Sequence, residues 1–260
     1  SALLAASGIE LPAEFAHTLG RGPTASCEWW LANEVVAIDT AGRYLTEGDG
    51  DAADEWRTLL RLVRRQRPGI PINGIVLAIS ASSLLAKSAA ERHELALATR
   101  RRLNEIEDAL HVSAPVYVVV TKCDAIEGFV ETAEALGQAQ LAEALGWTND
   151  RRELADAGDA VEQGIAPLVA RLETLVPALV AREPDPLRRR RLFAFPQELA
   201  AVVAALVETV GAAFAASSYD EMPFLRGVYF TSARREGATV SPQLHRLGHA
   251  WAQHDVTGAL

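Results

Sequence analysis

Asp39 and Gly42 are the residues of this chain whose types and spacing point most directly to phosphate chemistry. The apolar run Val35–Ile38 precedes Asp39, as in a buried strand that delivers a carboxylate to its carboxyl end. A carboxylate there can hold Mg²⁺ through a bound water, and the N–H of a glycine can approach a terminal phosphate closely. The same pattern also fits a strand that ends in an ordinary aspartate-capped turn.

A second predicted strand leads into residues that could bind a base. Val116–Val120 runs directly into Thr121, Lys122, Cys123 and Asp124. Asp124 could accept hydrogen bonds from the N1–H and the exocyclic amine of guanine, which adenine does not offer, and the Lys122 stem could pack over the base. Thr121, Lys122 and Asp124 are therefore candidate nucleotide contacts. The alternative is that Asp124 caps the N-terminus of a following helix.

Four further residues complete this candidate site. The predicted strand Gly227–Phe230 leads to Ser232 and Ala233, whose backbone N–H groups could face the carbonyl oxygen of a base. Thr24 could place its hydroxyl on Mg²⁺, although an ordinary loop threonine fits equally well. Ser1 fits the Mg²⁺-binding hydroxyl at the start of the helix that follows a phosphate loop.

The phosphate-cradling sequence Gly-x-x-x-x-Gly-Lys-Ser/Thr does not occur in residues 1–260. The only lysines are Lys87 and Lys122, and neither follows a glycine. The opening Ser1–Leu4 has the pattern of the helix after such a loop, so we expect the loop and a central strand to precede Ser1. Residues 1–260 alone are therefore not expected to hydrolyse nucleotide, whereas the intact domain would bind Mg²⁺ with GTP or ATP.

Composition limits the remaining function classes. The net charge of −9 argues against a nucleic-acid binder, and 49% hydrophobic residues suffice for a substantial core. Cys27 and Cys123 are too few for a disulfide framework, which favours a reducing compartment, and no Cys/His cluster predicts a metal centre. There is no signal-peptide pattern. Residues 199–216 come nearest to a membrane span, but Glu208 interrupts them, so we predict a buried or amphipathic helix.

The pattern along the chain indicates which elements position these residues. We predict a helix over residues 3–7, a hairpin from Cys27–Leu31 and Glu34–Ile38, a helix over 54–65, a strand over 73–79 buried on both faces, and one helix over 84–110. Residues 126–219 have a helical pattern, with a break at Glu183–Pro186 because proline disfavours helix. The core would then be a mainly parallel sheet with the hairpin at one edge.

The three predicted strands that end in candidate site residues indicate an α/β fold of the P-loop GTPase type. Such a fold would be a mainly parallel sheet flanked by helices, with a helical insertion before the last strand. Residues 1–125 would form the GTPase-like core, starting just after the phosphate loop. Residues 126–222 would form the helical insertion, and residues 223–260 the last core strand and a C-terminal helix. The metal and base residues should line one rim, because open α/β sheets bind ligands at the carboxyl ends of their strands.

The basic run Arg188–Arg191 follows the proline break. It could meet an acidic partner or lipid headgroups at the inner leaflet of a membrane. It could also be the solvated end of a helix, which is the interpretation we favour.

Residues well beyond the strand junctions resemble the TssM/IcmF family of type VI secretion inner-membrane proteins. The resemblance covers nearly the whole chain in order. The residues that carry it are Ser7–Ile9 with Leu11–Pro12, Cys27–Trp30, Asp39–Tyr44, Pro71–Ile75, Pro115–Tyr117, Thr121–Asp124 with Gly128–Phe129, Phe195–Gln197 and Leu225–Ser232.

This resemblance implies a GTPase-like domain at the cytoplasmic face of the bacterial inner membrane, part of an envelope-spanning complex whose membrane helices lie outside this chain. Its partners would be the inner-membrane and baseplate subunits of the secretion system. Signal-recognition-particle GTPases share the Asp-Thr-Ala-Gly-Arg and Thr-Lys-x-Asp patterns. Their characteristic insertion and their closing Gly-Gln-x-x-x-Asp sequence do not occur here.

Two roles stay open for such a domain. It could be a nucleotide-dependent switch, or a scaffold that keeps the fold without hydrolysing nucleotide. Arg43 follows Gly42, where many small GTPases place a water-orienting glutamine. An arginine can stabilise charge but cannot act as a base, so intrinsic hydrolysis would be slow.

Overall fold

The computed structural model describes residues 24, 27–32, 35–47, 50–136, 144–151, 153–216 and 222–232. The predicted helix over residues 3–7 lies outside these ranges. Strands β1 (Cys27–Leu31) and β2 (Val36–Thr40) form the predicted hairpin, with Trp29 opposite Ile38. Among the described strands they make a sheet of their own, so the expectation that the hairpin is an edge of the main sheet is wrong. Alternating apolar residues and a short turn specify that two neighbouring strands pair. They do not specify whether the hairpin also pairs with a strand that follows two helices later.

Two helices follow the hairpin and form a small core. Helix α1 (Arg43–Thr46) begins directly after Gly42, and helix α2 (Asp51–Gln66) confirms the predicted helix over residues 54–65. The apolar stripe on α2 faces helix α4 (Ala89–Leu110). The buried residues of this small core are Ala41, Tyr44, Ala52, Trp56, Leu60, Val63 and Leu110.

The main sheet contains strands β3 (Ile75–Ser80), β4 (Val116–Thr121), β5 (Gly146–Thr148) and β6 (Leu225–Phe230), in the spatial order β3-β4-β6-β5. The β3–β4 and β4–β6 pairings are parallel, and β5 pairs with β6 antiparallel. Strand β3 was predicted to be buried on both faces, but the Val76 side chain is 58% exposed. Ala78, two residues later on the same face, is exposed as well, so one face of β3 is uncovered.

Strand β5 was not predicted, because it falls in the stretch from residue 126 that has a helical pattern. Three residues are too few to show a period of two. A side chain at Gly146 would place its Cβ 2.2 Å from the Val228 carbonyl oxygen, so the close approach of β5 to β6 requires glycine there.

The predicted single helix over residues 84–110 is two helices, α3 (Ala81–Ala86) and α4 (Ala89–Leu110). Ser88 separates them. Its hydroxyl accepts a hydrogen bond from the Glu91 N–H while the Glu91 carboxylate accepts one from the Ser88 N–H. This reciprocal cap begins a new helix at Ala89, so the helical pattern of residues 84–110 does not correspond to one continuous helix.

Three more helices come from the second half of the chain: α5 (Phe129–Leu136), α6 (Ala157–Arg182) and α7 (Pro186–Phe214). The predicted break at Glu183–Pro186 is confirmed. Asp185 caps α7 by accepting a hydrogen bond from the Leu187 N–H. Pro186 occupies the first helical position, where an N–H would have no partner within the helix, so the missing N–H of proline costs nothing.

Helix α7 packs against α4 and α6 and shares a core with the sheet. The main core joins the sheet to these helices, and its largest fully buried side chains include Phe195, Phe214, Ile165, Leu199, Leu206 and Val118. Strands β3, β4 and β6 and helices α4, α6 and α7 share this one core. The division at residues 126 and 222, and the P-loop GTPase type of fold, stay predictions.

Helices α6 and α7 are long and apolar enough to cross a membrane by length and composition alone. In α7, 56% of the most apolar window is buried inside the protein, against 17% in α6. The α7 value is that of a core helix. Of the two kinds of helix predicted over residues 199–216, buried or amphipathic, the buried one is confirmed as far as Phe214, where α7 ends. In α6 the buried residues repeat at helical spacing, at Val161, Ile165, Leu172 and Val176, and this stripe packs on α7.

Candidate functional site

The first part of the candidate site lies at the end of the hairpin. The Thr24 hydroxyl donates a hydrogen bond to Asp39 Oδ2 at 2.9 Å, so two of the three predicted Mg²⁺ residues lie together. Asp39 is the penultimate residue of β2. A hydroxyl and a carboxylate are oxygen ligands of the kind that Mg²⁺ prefers. Ser1, the third predicted metal residue, lies outside the described residues.

Gly42 follows β2 and is the N-cap of α1, with φ −57° and ψ −28°. These angles suit any residue, so the backbone itself does not require glycine. A Cβ built at Gly42 would meet no atom within 4 Å. The space beside Gly42 is therefore open, which fits the predicted approach of a phosphate oxygen.

The second part is the loop Thr121–Ala125 at the carboxyl end of β4, called the base loop below. Lys122 has left-handed backbone angles (φ 56°, ψ 38°) and turns the chain into a 3₁₀ helix at Cys123–Ala125. Asp124 lies inside this turn, well before α5 begins at Phe129, so it is not the N-cap of that helix. The alternative interpretation of Asp124 is therefore wrong.

The base loop is tied to the residues that follow β6. The Cys123 N–H donates to the Thr231 carbonyl oxygen at 3.2 Å, and the Thr231 N–H donates to the Val120 carbonyl oxygen at 2.8 Å. The Ser232 hydroxyl donates a hydrogen bond to Asp124 Oδ1. The structure thus brings together Asp124 and Ser232, which are 108 positions apart in the sequence. Ala233 lies outside the described residues.

Parallel pairing of β4 and β6 explains why these two loops meet, because both strands end at the same edge of the sheet. Thr121 also lies there, and its hydroxyl is 3.4 Å from the Ile79 carbonyl oxygen at the end of β3. The described contacts therefore form two pairs, Thr24 with Asp39 and Asp124 with Ser232. That both pairs share one rim stays a prediction.

We expect the Cys123 thiol to resist alkylation in the native protein at neutral pH, while the half-buried Cys27 is modified. Burial raises the pKa of the Cys123 thiol to about 12, against a smaller lowering by the Thr231 hydrogen bond. This pKa lies above that of an exposed thiol, about 8.5. Burial of the protonated thiol therefore stabilises the folded protein fully below about pH 8.5, and this contribution to the free energy of unfolding is lost as the pH rises towards 12.

Mass spectrometry of the alkylated protein before and after unfolding checks this prediction. One label in the native protein and two in the unfolded protein is the expected result. Labelling of Cys123 as fast as Cys27 in the native protein would contradict it, because the base loop would then have to open readily.

A cavity of about 550 Å³ within the described residues was not predicted from the sequence. It lies between the start of β1 and the first two turns of α2, and its lining is Cys27, Tyr44, Asp51, Asp54, Glu55, Thr58 and Leu59. Three carboxylates in this lining would repel phosphates, so the cavity is not part of the predicted nucleotide site. The signal that could have found it is the acidic first turn of α2.

The basic run on α7 is paired within the protein. Arg188 contacts Glu134 at 2.8 Å and Glu183 at 3.0 Å, and the remaining pairs are Arg190–Glu127 at 3.1 Å and Arg191–Glu131 at 2.9 Å. These glutamates lie in or beside α5, apart from Glu183. Most of the positive charge is therefore neutralised locally, which argues against a lipid-binding patch and differs from a simply solvated helix end.

No group of three or more His, Cys, Asp or Glu side chains that could hold a metal ion occurs within the described ranges. A Mg²⁺ site of the predicted kind does not need such a group, because water and phosphate oxygens complete its shell. The Thr24–Asp39 pair is the part of that shell that these residues could supply.

Comparisons with known proteins agree on one family. Residues 49–258 match the IcmF-related N-terminal domain. The type VI secretion system component TssM1 of Pseudomonas aeruginosa strain PAO1 is 37% identical over 226 residues, which is 85% of this chain and 20% of that protein. The chain thus spans about a fifth of the length of this curated relative, and no solved structure matches it. This chain therefore belongs to the TssM/IcmF family of type VI secretion components.

Proposed function

We propose that this chain is the nucleotide-binding, GTPase-like part of a type VI secretion component at the cytoplasmic face of the inner membrane. The observation that carries the nucleotide part is the hydrogen bond between Ser232 and Asp124. It joins two loops at the ends of parallel strands into one polar edge, the place where open α/β sheets bind ligands.

Each described residue has a defined task in this proposal. Asp124 accepts the N1–H and the amine of guanine, and the Ser232 hydroxyl holds that carboxylate in place. Asp39 and Thr24 supply oxygen atoms to Mg²⁺, and Gly42 leaves room for a terminal phosphate oxygen. Bound Mg²⁺ and nucleotide would supply the charge that these residues recognise.

A scaffold that docks other subunits without hydrolysis is the second candidate function. The Arg43 guanidinium contacts the Glu55 carboxylate at 2.5 Å and lies 5.3 Å from the centre of the Tyr44 ring. Arg43 is thus bound to Glu55 and Tyr44 of the same protein. It stands at the position where a hydrolytic GTPase would have a residue that orients a water. These contacts favour a domain that holds its shape over one that cleaves nucleotide quickly.

The partners in this proposal are the inner-membrane and baseplate subunits of the secretion system. The relative TssM1 is named as a component of that system, and this chain corresponds to a fifth of its length. The remaining length of such a protein would carry the membrane helices.

Replacing Asp124 by alanine in the full-length protein tests the proposed base recognition. Asp124→Ala should weaken GTP binding by about 2–3 kcal/mol, or roughly 30- to 150-fold, because a charge-assisted double contact is lost. ATP affinity should stay nearly unchanged. Calorimetric titration of both nucleotides into both proteins measures the difference.

Asp108→Ala is the matched control, because Asp108 is an exposed aspartate on α4 away from the base loop. It should change neither affinity. Equal loss of GTP and ATP in Asp124→Ala would show that Asp124 only maintains the loop, and the proposed base recognition would be abandoned.

A further inference from the structure

Arg102 on α4 is a charged residue that the sequence pattern did not distinguish from its neighbours Arg100 and Arg101. It is 7% exposed in the folded protein. Burying a guanidinium is costly unless every part of it is paired. Its contacts therefore indicate what its burial achieves.

The Arg102 guanidinium contacts the segment Gly42–Glu47 through main-chain atoms. Its Nε donates to the Tyr44 carbonyl oxygen, and one terminal nitrogen donates to the Glu47 carbonyl oxygen at 2.7 Å. The other terminal nitrogen donates to the Glu105 carboxylate at 2.6 Å. The planar fork of arginine thus spans two carbonyl groups of one short segment and a carboxylate of its own helix.

Side chains of α2 also hold the same segment. Tyr44 is buried, its hydroxyl donates to the Glu55 carboxylate at 2.7 Å, and its ring lies 6.1 Å from that of Trp56. The Trp56 ring also lies 6.0 Å from the centre of the Arg102 guanidinium. Helix α2 therefore holds the Tyr44 side chain of the segment, and Arg102 of α4 holds the backbone carbonyl groups of the segment.

The segment held in this way begins at Gly42, the residue expected to meet a terminal phosphate. Within it the Tyr44, Leu45 and Glu47 N–H groups donate to carbonyl oxygens only three or four residues earlier. Such a short run has little stability of its own. Its position relative to β2 depends on contacts from outside, and Arg102 makes two of them.

We propose that Arg102 is a positioning residue that fixes the Gly42–Glu47 segment, so that the Gly42 N–H is ready for a terminal phosphate before nucleotide binds. This inference rests on the proposed function for its phosphate part only. The fixing of the segment stands on contacts within the chain and is measurable without nucleotide.

Hydrogen exchange measured by mass spectrometry tests the fixing step on residues 1–260. Arg102→Ala and Arg102→Lys should both speed exchange in residues 43–47 about tenfold, because lysine cannot span two carbonyl groups and a carboxylate. Exchange in β4 and β6 should not change. Arg101→Ala is the matched control, since Arg101 is exposed on the same helix, and it should leave all rates unchanged.

Methylguanidinium adds a readout that a general loss of stability would not produce. In Arg102→Ala it should restore slow exchange in residues 43–47, because it refills a site lined by two carbonyl oxygens, a carboxylate and the Trp56 ring. Unchanged exchange in this segment, or equally faster exchange throughout the chain, would overturn the proposal. Failure of rescue would also overturn it.

Nucleotide titration of the full-length protein tests the phosphate part. Arg102→Ala should weaken triphosphate binding about tenfold and leave diphosphate binding within about twofold, because only a triphosphate reaches Gly42. Equal weakening of both nucleotides would overturn the phosphate part. If the wild-type protein bound neither, the proposed function would fail, while the exchange data would still decide whether Arg102 fixes the segment.

Discussion

Residues 1–260 alone are expected to bind GTP or ATP about a thousandfold more weakly than a chain that carries a phosphate loop, with a millimolar in place of a micromolar constant. Phosphate binding draws on loop N–H groups, a lysine and a helix N-terminus acting together. Neither Lys87 nor Lys122 stands in such a loop sequence. At about 1–2 kcal/mol for each lost charge-assisted contact, a few such losses account for this difference.

Calorimetry on residues 1–260 and on the full-length protein measures both constants. Asp124→Ala provides a control, because in residues 1–260 it should have little left to weaken, whereas in the full-length protein it should be costly. A micromolar constant for residues 1–260 would contradict the prediction, since another segment would then have to bind the phosphates.

Gly128→Ala is expected to lower the free energy of unfolding by about 2–5 kcal/mol, the sum of backbone strain and overpacking. Gly128 has φ 85°, which side chains disfavour. A Cβ there would lie 2.1 Å from the Arg191 carbonyl oxygen and 2.8 Å from Phe195 Cβ. Both of these atoms belong to α7, so neither can move without shifting a long core helix. Denaturant unfolding followed by circular dichroism measures the loss.

Gly69→Ala is the control for this substitution, because a Cβ at Gly69 would meet no atom within 4 Å. Its effect should stay within about 0.5 kcal/mol. Equal stability of the Gly128→Ala and wild-type proteins would show that α5 and α7 are farther apart than in this structure. The Arg191–Glu131 ion pair should be lost when Gly128→Ala shifts α7. The destabilisation caused by Gly128→Ala and that caused by removing this ion pair should therefore not be additive.

Local patterns in the sequence predicted the elements that local physics determines. The hairpin at Cys27–Leu31, helix α2 and the break at Glu183–Pro186 each follow from alternation, from helical spacing or from proline. The base loop was also predicted, because a strand that runs into Thr121–Asp124 has a recognisable chemistry. Of the missed features, the start of α4 had a local signal, since Ser88 and Glu91 have the spacing of a capping box.

Features that depend on distant residues were not predictable in this way. Strand β5 exists because Gly146 can approach β6, and Arg102 is buried because a segment from early in the chain passes beside it. The exposure of Val76 depends on which elements cover its face of the sheet. Each of these depends on tertiary packing, which a single sequence does not encode in any short window.

Lys122 has a backbone conformation that costs stability in any residue other than glycine. Among the described residues that are not glycine, only His111 and Lys122 have positive φ, and His111 lies at the end of α4, where left-handed backbone is common. A left-handed L-residue costs about 1–2 kcal/mol, which glycine would avoid. A stabilisation screen based on backbone geometry would therefore choose position 122 first. If the ammonium group is what the base loop needs, such a variant would gain thermal stability and lose nucleotide binding, so engineering of this domain should leave Lys122 in place.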